Sequence, residues 1–401
     1  MYIGYDEDQE ALRQELRAYY DRILTPEIQA DLAREHGIGP RTREIVRQMG
    51  RDGWLGIGWP REYGGQGRSE IEQFVFFDES MRARAPVPML TVNTVGPTLM
   101  HNGTEEQKAR FLPRILAGEI HFCIGYSEPG AGTDLAALQT RAEPANDGTG
   151  DYIINGQKLW TSLASDADYC WLAVRTDPDA PKHGGLSMFL VDMKSPGIRV
   201  DPLELLSAHD INAVFFDDVR VPGENLVGGL NRGWKLITSQ LNHERVTLCA
   251  PGMIEGAYEA VVEWARKTRR PGGSRVIDDE WVQINLAKVK AGIHALRLMN
   301  WKVAWTATEG RTLNPADAST IKVFGTEFFL DAFRLLMEVM GPRGYLRGET
   351  EATAPEQTVA LGMVEMLYRS LLILTFGGGT NEIQRDLIGL FGLGLPRIPR
   401  M

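Results

Sequence analysis

The apolar period of this chain changes twice, and that limits the folds open to it. Up to about residue 120, apolar residues recur three and four positions apart in runs such as Gln9 to Leu24, Thr42 to Asp52 and Glu70 to Ala83, the spacing of half-buried helices. Thr104 opens another helix, with Gln107 placed to complete a capping box. Between 151 and 216 the runs are short and bounded by Gly, Pro and Asp: 151–154 and 157–160 around Asn155-Gly156, then Tyr169 to Arg175, Leu186 to Asp192, Gly197 to Val200 and Val214 to Phe216. These predict short strands, with Asn155-Gly156 as the turn of a hairpin. From about Gly229 the helical period returns in Trp234 to Cys249, Trp281 to Trp305, Ala316 to Met340 and Val359 to Leu374, long enough for a bundle. The fold class is therefore α+β and mainly α: an N-terminal helical domain over 1–120, a central antiparallel β domain over 121–228 and a C-terminal four-helix bundle over 229–401. This order disfavours a nicotinamide-binding Rossmann fold. No Gly-x-Gly-x-x-Gly follows a strand, and no Walker-type loop is present.

Composition narrows the partners. The 401 residues carry 43 Lys and Arg against 53 Asp and Glu, a formal charge of −10. Phosphate backbones call for a basic surface, so a nucleic-acid partner is disfavoured, although local donors can still hold an anionic cofactor. Three cysteines, at 123, 170 and 249, are too scattered for a disulfide framework and fit a reducing cytosol. His121 and Cys123 have no second ligand pair nearby, so no metal is expected. The acidic, helix-patterned start is unlike a signal peptide. No apolar run approaches the ~20 residues that span a bilayer, and the expectation is a cytoplasmic protein without a membrane span.

Three segments carry residues suited to chemistry. In Ile124 to Asp134 the glycines let backbone amides approach a ligand, while Tyr126, Ser127 and Thr133 offer hydroxyls. In Trp160-Thr161-Ser162 an aromatic able to cover a planar ring stands beside two hydroxyls. In Phe376 to Arg385 a glycine run stops one helix, and Thr380 or Asn381 can cap the next, whose amides and dipole favour an anionic or electron-accepting group. Each segment alone is read as readily as a surface loop, a strand end or a plain helix-turn-helix.

Combined, they are specific. The chain resembles the acyl-CoA dehydrogenase family along essentially its whole length. The matching pieces are Trp-Pro-x-Glu-Tyr-Gly-Gly at 59–65, Tyr-Ser-Glu-Pro-Gly-Ala-Gly-Thr-Asp at 126–134 and Asn-Gly-Gln-Lys-Leu-Trp-Thr-Ser at 155–162. Val-Arg-Val-Pro at 219–222, Lys-Val-Phe-Gly-Thr-Glu at 322–327 and Gly-Gly-Thr-Asn-Glu-Ile-Gln-Arg at 378–385 follow in the family's order. The resemblance implies FAD, bound between the β domain and the bundle and reaching a neighbouring subunit. It implies that Tyr126, Ser127 and Thr133 meet the flavin and pyrophosphate. Trp160, Thr161 and Ser162 would line the isoalloxazine, with Ser162 near N5, and Thr380 and Glu382 would add contacts from the last helix. The implied reaction is α,β-dehydrogenation of an acyl-CoA thioester: a base removes the α-proton while flavin N5 accepts the β-hydride. An electron-transfer flavoprotein is the implied acceptor.

The base must come from elsewhere than its usual place. Many family members carry a glutamate two positions ahead of the Thr that Thr380 matches, and here that position is Gly378, which cannot take a proton. Some branched-chain and steroid-side-chain members place it early in the first bundle helix, in a Glu-Arg pair, where this chain has Glu244-Arg245. Trp234, Ile237, Leu241, Glu244 and Leu248 share one helical face. Glu244 is thus a carboxylate on an apolar stripe, where burial would raise its pKa toward the range useful for proton abstraction. A buried structural ion pair is the alternative reading of such a residue, and the absent side chain at 378 favours catalysis. Arg245 is a candidate substrate contact, and Glu382 and Glu338 are weaker candidates for the base.

The resemblance breaks at the half-site that family members lend to a neighbour. Arg269 falls, within about one residue of register, where the family extends an Arg over the neighbour's FAD, but Gly272 replaces the aromatic that follows, and Glu338 stands where Gln is common. The chain's own half-site is complete. This predicts a homo- or heterotetramer with a related second subunit, as in actinobacterial enzymes that desaturate steroid side chains, and a bulky or α-branched acyl group. Two further readings are an acyl-CoA oxidase-like enzyme and a non-catalytic partner that completes another chain's FAD site. Ser319-Thr320-Ile321-Lys322 fits a Ser-x-x-Lys pattern without its companion motifs, and is expected to be an ordinary bundle turn.

Overall fold

The chain opens with helices α1 (Glu7–Ile23), α2 (Pro26–Arg34), α3 (Pro40–Arg51), α4 (Glu70–Ala83), α5 (Gly96–Asn102) and α6 (Glu105–Leu116). The computed structural model describes residues 4–35, 37–206, 211–247, 249–346 and 356–397, with the side chains of 241–247 and 356–361 outside that description. The capping box at Thr104 is present, its hydroxyl accepting from the Gln107 N–H and the Gln107 carboxamide oxygen accepting from the Thr104 N–H. The short helices α2 and α5 had no clear sequence period. Between α4 and α5 lies a π-helical turn, Leu90–Val95, pinned by the Trp59 indole N–H donating to the Val92 carbonyl at 2.9 Å.

One sheet follows, made of β1 (Phe122–Gly125), β2 (Arg141–Pro144), β3 (Tyr152–Ser162), β4 (Tyr169–Arg175), β5 (Leu186–Asp192), β6 (Ile198–Leu203), β7 (Ile211–Val221) and β8 (Leu226–Val227). Its order is β6-β7-β3-β2-β4-β5-β8, with β1 beside β4. The strands β4 and β5 coincide with the predicted runs, and their alternation serves two cores. Tyr169, Trp171 and Ala173 pack among the N-terminal helices, whereas Cys170, Leu172 and Val174 join a second cluster with Phe189, Val214 and Val219. A strand buried on both faces needs apolar residues at every position, which is why these runs are continuous.

Two details of the sheet differ from expectation. It is antiparallel except at β4, where β1 pairs in parallel and Arg141 of β2 makes a single parallel pair with Arg175. Parallel neighbours need a long crossover, and the residues between β1 and β4 supply it. The predicted hairpin at Asn155-Gly156 is absent, because β3 runs unbroken through it with a shift of register against β7. That is a β-bulge. Gly156 has φ 144°, and a Cβ there would lie 2.7 Å from Thr140 Cα. Asn155 exchanges two hydrogen bonds with Asp218, itself at φ 48°. Asn-Gly marks unusual backbone, which a bulge uses as a turn does.

The remaining helices are α7 (Gly233–Thr247), α8 (Gly252–Lys267), α9 (Glu280–Thr308), α10 (Pro315–Met340), α11 (Glu356–Leu371) and α12 (Asn381–Leu387). A four-helix bundle is present, with one change of membership. Ile254 and Val261 of α8, Ile293 of α9, Phe329 and Phe333 of α10 and Val364 of α11 share one core. The predicted first member, α7, instead puts Leu236 and Ile237 into the core of the sheet and N-terminal helices. Helix α8 went unseen because glycines interrupt its period, and those glycines are its contact with α4. A Cβ at Gly252 would lie 1.9 Å from the Asp78 carbonyl oxygen, and one at Gly256 2.7 Å from that of Arg82. No helix of the described residues is long and apolar enough to cross a membrane.

Gly252→Ala should force α4 and α8 apart and cost about 1–3 kcal/mol, seen as a lower midpoint in thermal unfolding. An unchanged midpoint would show that this close approach is dispensable.

Candidate functional site

The segment 126–134 leaves β1 and is fastened from below by a buried ion pair. Lys158 of β3 is 1% exposed and Glu128 8%. The ammonium donates to Glu128 Oε1 at 2.7 Å and to the Tyr126 carbonyl at 3.1 Å. The carboxylate also accepts from the backbone N–H groups of Gln139 and Thr140, at 2.6 and 2.9 Å. Burial alone would raise the Glu128 carboxyl, but Lys158 and these donors outweigh it and hold it below the usual carboxylate range. Burial pushes Lys158 down, and Glu128 offsets part of that. The Leu159 N–H donates to the Ser127 carbonyl at 2.8 Å, which sets Tyr126 and Ser127 beside the end of β3. Thr133 is exposed further along the loop. Neither Gly130 nor Gly132 has a positive φ, and a Cβ on either would meet nothing within 4 Å.

The end of β3 is strained. A second register shift falls between Lys158 and Thr161, and there Trp160 has φ 65° and Leu163 φ 63°. The left-handed region costs a residue with a Cβ roughly 1–2 kcal/mol. Trp160 is nevertheless 54% exposed, so burial of its ring in this chain does not offset the strain. A large aromatic displayed at such expense is the arrangement of a ligand-facing position. Ser162 is half-buried. Thr161 is buried, its carbonyl accepting from Asn212 Nδ2 at 3.2 Å, and its hydroxyl has no partner among the described residues.

Helix α7 is tied to this loop. The Tyr126 hydroxyl donates to Gln240 Oε1 at 2.5 Å and accepts from the Trp171 indole N–H at 3.1 Å. Glu244 and Arg245 lie on α7 one turn beyond Gln240, and their side chains fall outside the described residues.

The glycine run before α12 is organised by a second buried lysine. Lys322 of α10 is fully buried, and its ammonium donates to the carbonyls of Thr375 and Gly379 at 3.0 and 2.7 Å and to Asn381 Oδ1 at 2.7 Å. Gly378 and Gly379 have φ 68° and 96°, which fits glycine. Thr380 caps α12, its hydroxyl accepting from the Ile383 N–H. Glu382 is exposed, and its own N–H and the Thr380 hydroxyl hold its carboxyl down. Ser319 donates to Gln384 at 2.8 Å in the interior, so the Ser-x-x-Lys pattern is structural.

The structure thus brings together Tyr126, Ser127, the end of β3 and α7. No hydrogen bond or ion pair among the described residues joins Thr380, Glu382 or Arg269 to them. Arg269 lies in an exposed turn between α8 and α9, where its guanidinium donates to the Gly273 carbonyl at 2.7 Å. Glu338 is exposed and accepts from Asn285. The sequence reading missed Lys158, Lys322, Trp171 and Gln240 as organising residues. Lys322 had a signal, a single charge between Ile321, Val323 and Phe324, where burial demands partners, whereas Lys158 follows Asn-Gly-Gln and had none. Trp171 and Gln240 had none, because only the fold makes them neighbours of Tyr126.

The class is that of oxidoreductases acting on acyl-CoA thioesters, given by three family models that cover this fold. Residues 6–119 match the acyl-CoA dehydrogenase N-terminal domain, 123–219 the middle domain and 231–391 the C-terminal domain, and the chain belongs to the acyl-CoA dehydrogenase family. It is 52% identical to the acyl-CoA dehydrogenase FadE26 of Mycobacterium tuberculosis over the whole of both chains. Among solved structures it resembles the ChsE4–ChsE5 complex from Mycobacterium tuberculosis, with TM-score 0.89 and 53% identity over 99% of this chain and 100% of that one. It also resembles the Tcur3481–Tcur3483 steroid ACAD, with TM-score 0.90 and 46% identity over 99% and 100%.

Lys158→Met should destabilise the protein by about 3–5 kcal/mol at neutral pH, since it leaves the Glu128 charge buried and unpaired. The folded Glu128 binds its proton less readily than the unfolded one. Its contribution is therefore present above the ordinary glutamate value of 4.5 and is lost as pH falls through the lower folded value. Thermal unfolding between pH 3 and 7 should show a steep acid loss in the parent, and a flat difference between parent and variant would contradict this account.

Proposed function

We propose that this chain is an FAD-dependent dehydrogenase that introduces an α,β double bond into a bulky or α-branched acyl-CoA, with Glu244 removing the α-proton. The observation that carries this reading is a pairing of two positions. Gly378 offers no side chain where many relatives carry the base, while α7 is tied to the loop at 126 and carries a glutamate one turn beyond the contact.

The residues present fit a flavin. Gly130 and Gly132 are required neither by φ nor by packing within the chain, which leaves close approach of backbone to a ligand as their use. The strained, exposed Trp160 offers an aromatic face, and Ser127, Thr133 and Ser162 offer hydroxyls, with Thr161, Thr380 and Glu382 completing the set. When bound, FAD supplies the acceptor for the β-hydride. The chain's own part is to hold the thioester and take the proton. By helical spacing position 244 falls on the face of α7 that carries the buried Ile237 and Gln240, and burial beside such residues is what would give a carboxylate the proton affinity that step needs. Arg245 is read as a substrate contact.

The solved relatives named above are a complex of two chains and a steroid ACAD also named for two chains. They support a steroid-side-chain-like acyl group and a heterotetramer whose related subunit closes the flavin site that Arg269 and Gly272 leave altered. The family relation supports an electron-transfer flavoprotein as acceptor and a cytoplasmic setting.

Purified with its partner subunit, Glu244→Gln should bleach flavin with an acyl-CoA panel about 10²- to 10⁴-fold more slowly than the parent, at equal flavin content. Retention of most of the rate would remove Glu244 as the base. A chain that takes up no flavin in any combination would favour the non-catalytic partner reading, and reduced enzyme that reoxidises in air as fast as with an artificial acceptor would favour an oxidase.

A further inference from the structure

Tyr126 belongs to the cofactor loop, yet its side chain is engaged with α7. Trp171 lies fully buried in β4, and its indole N–H can only donate. It occupies a lone pair of the Tyr126 oxygen at 3.1 Å, which leaves the phenol proton for Gln240 Oε1 at 2.5 Å. That bond fixes which end of the Gln240 carboxamide is oxygen. The amide nitrogen therefore faces away from Tyr126. It is buried, and it has no hydrogen-bond partner among the described residues.

A glutamine that is 2% exposed with an N–H₂ unmatched among the described residues is costly. The oxygen end of that carboxamide serves Tyr126, whereas the nitrogen end has no such use, since Leu236 and Ile237 on the same side are apolar and buried. Helix geometry supplies a use. Residue 244 lies four positions on, one turn along and roughly 40° around the axis. Positions 240 and 244 therefore share one face of α7.

We infer that Gln240 is a positioning residue for the Glu244 carboxylate. Its amide N–H donates to that carboxylate in the flavin-loaded enzyme, and Trp171 and Tyr126 lock the amide's orientation. The inference rests on Glu244 being the base. An apolar stripe alone would leave a carboxylate free to choose among rotamers and would favour its protonated form. One fixed donor selects the rotamer and the ionised form together. The relay also runs from the centre of the sheet to the catalytic helix through the cofactor loop, so base and flavin site share one reference frame.

The test uses the flavin-loaded assembly and acyl-CoA with or without deuterium at the α-carbon. Gln240→Met keeps the length of the side chain and removes the donor, and Tyr126→Phe keeps the donor and removes the lock. In both, the maximal bleaching rate should fall, by about ten- to a hundredfold for Gln240→Met and less for Tyr126→Phe. The α-deuterium isotope effect should rise, while KM stays within about twofold and flavin content matches the parent. A parent-like rate and isotope effect in Gln240→Met would overturn the inference, as would a rate loss that follows flavin loss in proportion. Should Gln240→Met not fold, Tyr126→Phe decides, and an unchanged isotope effect there overturns it. Glu244→Gln run in parallel separates the two readings. If it bleaches like the parent, the base assignment fails and this inference with it; if it is inactive while Gln240→Met is parent-like, the positioning role alone fails.

Discussion

The site depends on two charges taken out of water together. Lys158 and Glu128 are each expensive to bury, and further bonds help their attraction to offset that: the ammonium also reaches the Tyr126 carbonyl, and the carboxylate takes two backbone N–H groups. The pair therefore specifies the path of the chain from 126 to 140 against β3. Once that path is set, the end of β3 can carry Trp160 in a conformation it would not otherwise hold, and Tyr126 can reach α7. Lys322 repeats the device within the bundle, drawing two carbonyls and the Asn381 side chain around one ammonium. In both places a buried lysine shapes a glycine-bearing loop whose carbonyls have no ladder to join.

Periodicity made most elements legible. The strands β4 and β5 and the helices α4, α9 and α10 follow runs long or regular enough to be read without a structure. What failed did so where one residue type serves two geometries. Asn155-Gly156 marks positive or unusual φ, and only the neighbouring Thr140 and Asp218 decide between a turn and a bulge. Helix α8 was hidden because Gly252 and Gly256, which break its period, are its contact surface. Of the candidate site, the glycine-rich loops and Trp160 were visible as motifs. Gln240 and Trp171 were not, since their partner lies more than forty residues away in sequence.

Helix α7 belongs to neither half of the molecule alone. It follows the sheet in sequence, yet Leu236 and Ile237 pack into the core of the N-terminal helices, while α10 lies against its other side. The helix is thereby coupled to the loop at 126 through Tyr126 and to the bundle through α10.

The glycine run has a consequence for substitution. With φ of 68° and 96° at Gly378 and Gly379, the peptide there has settled into a shape that a residue with a Cβ adopts only under strain. A glutamate placed at 378 would sit on a backbone that a residue with a Cβ adopts under strain, and re-laying that backbone would disturb the carbonyls that Lys322 holds. The loop is therefore closer to a ratchet than to a switch, since a side chain cannot be added at 378 without moving the carbonyls gathered around Lys322.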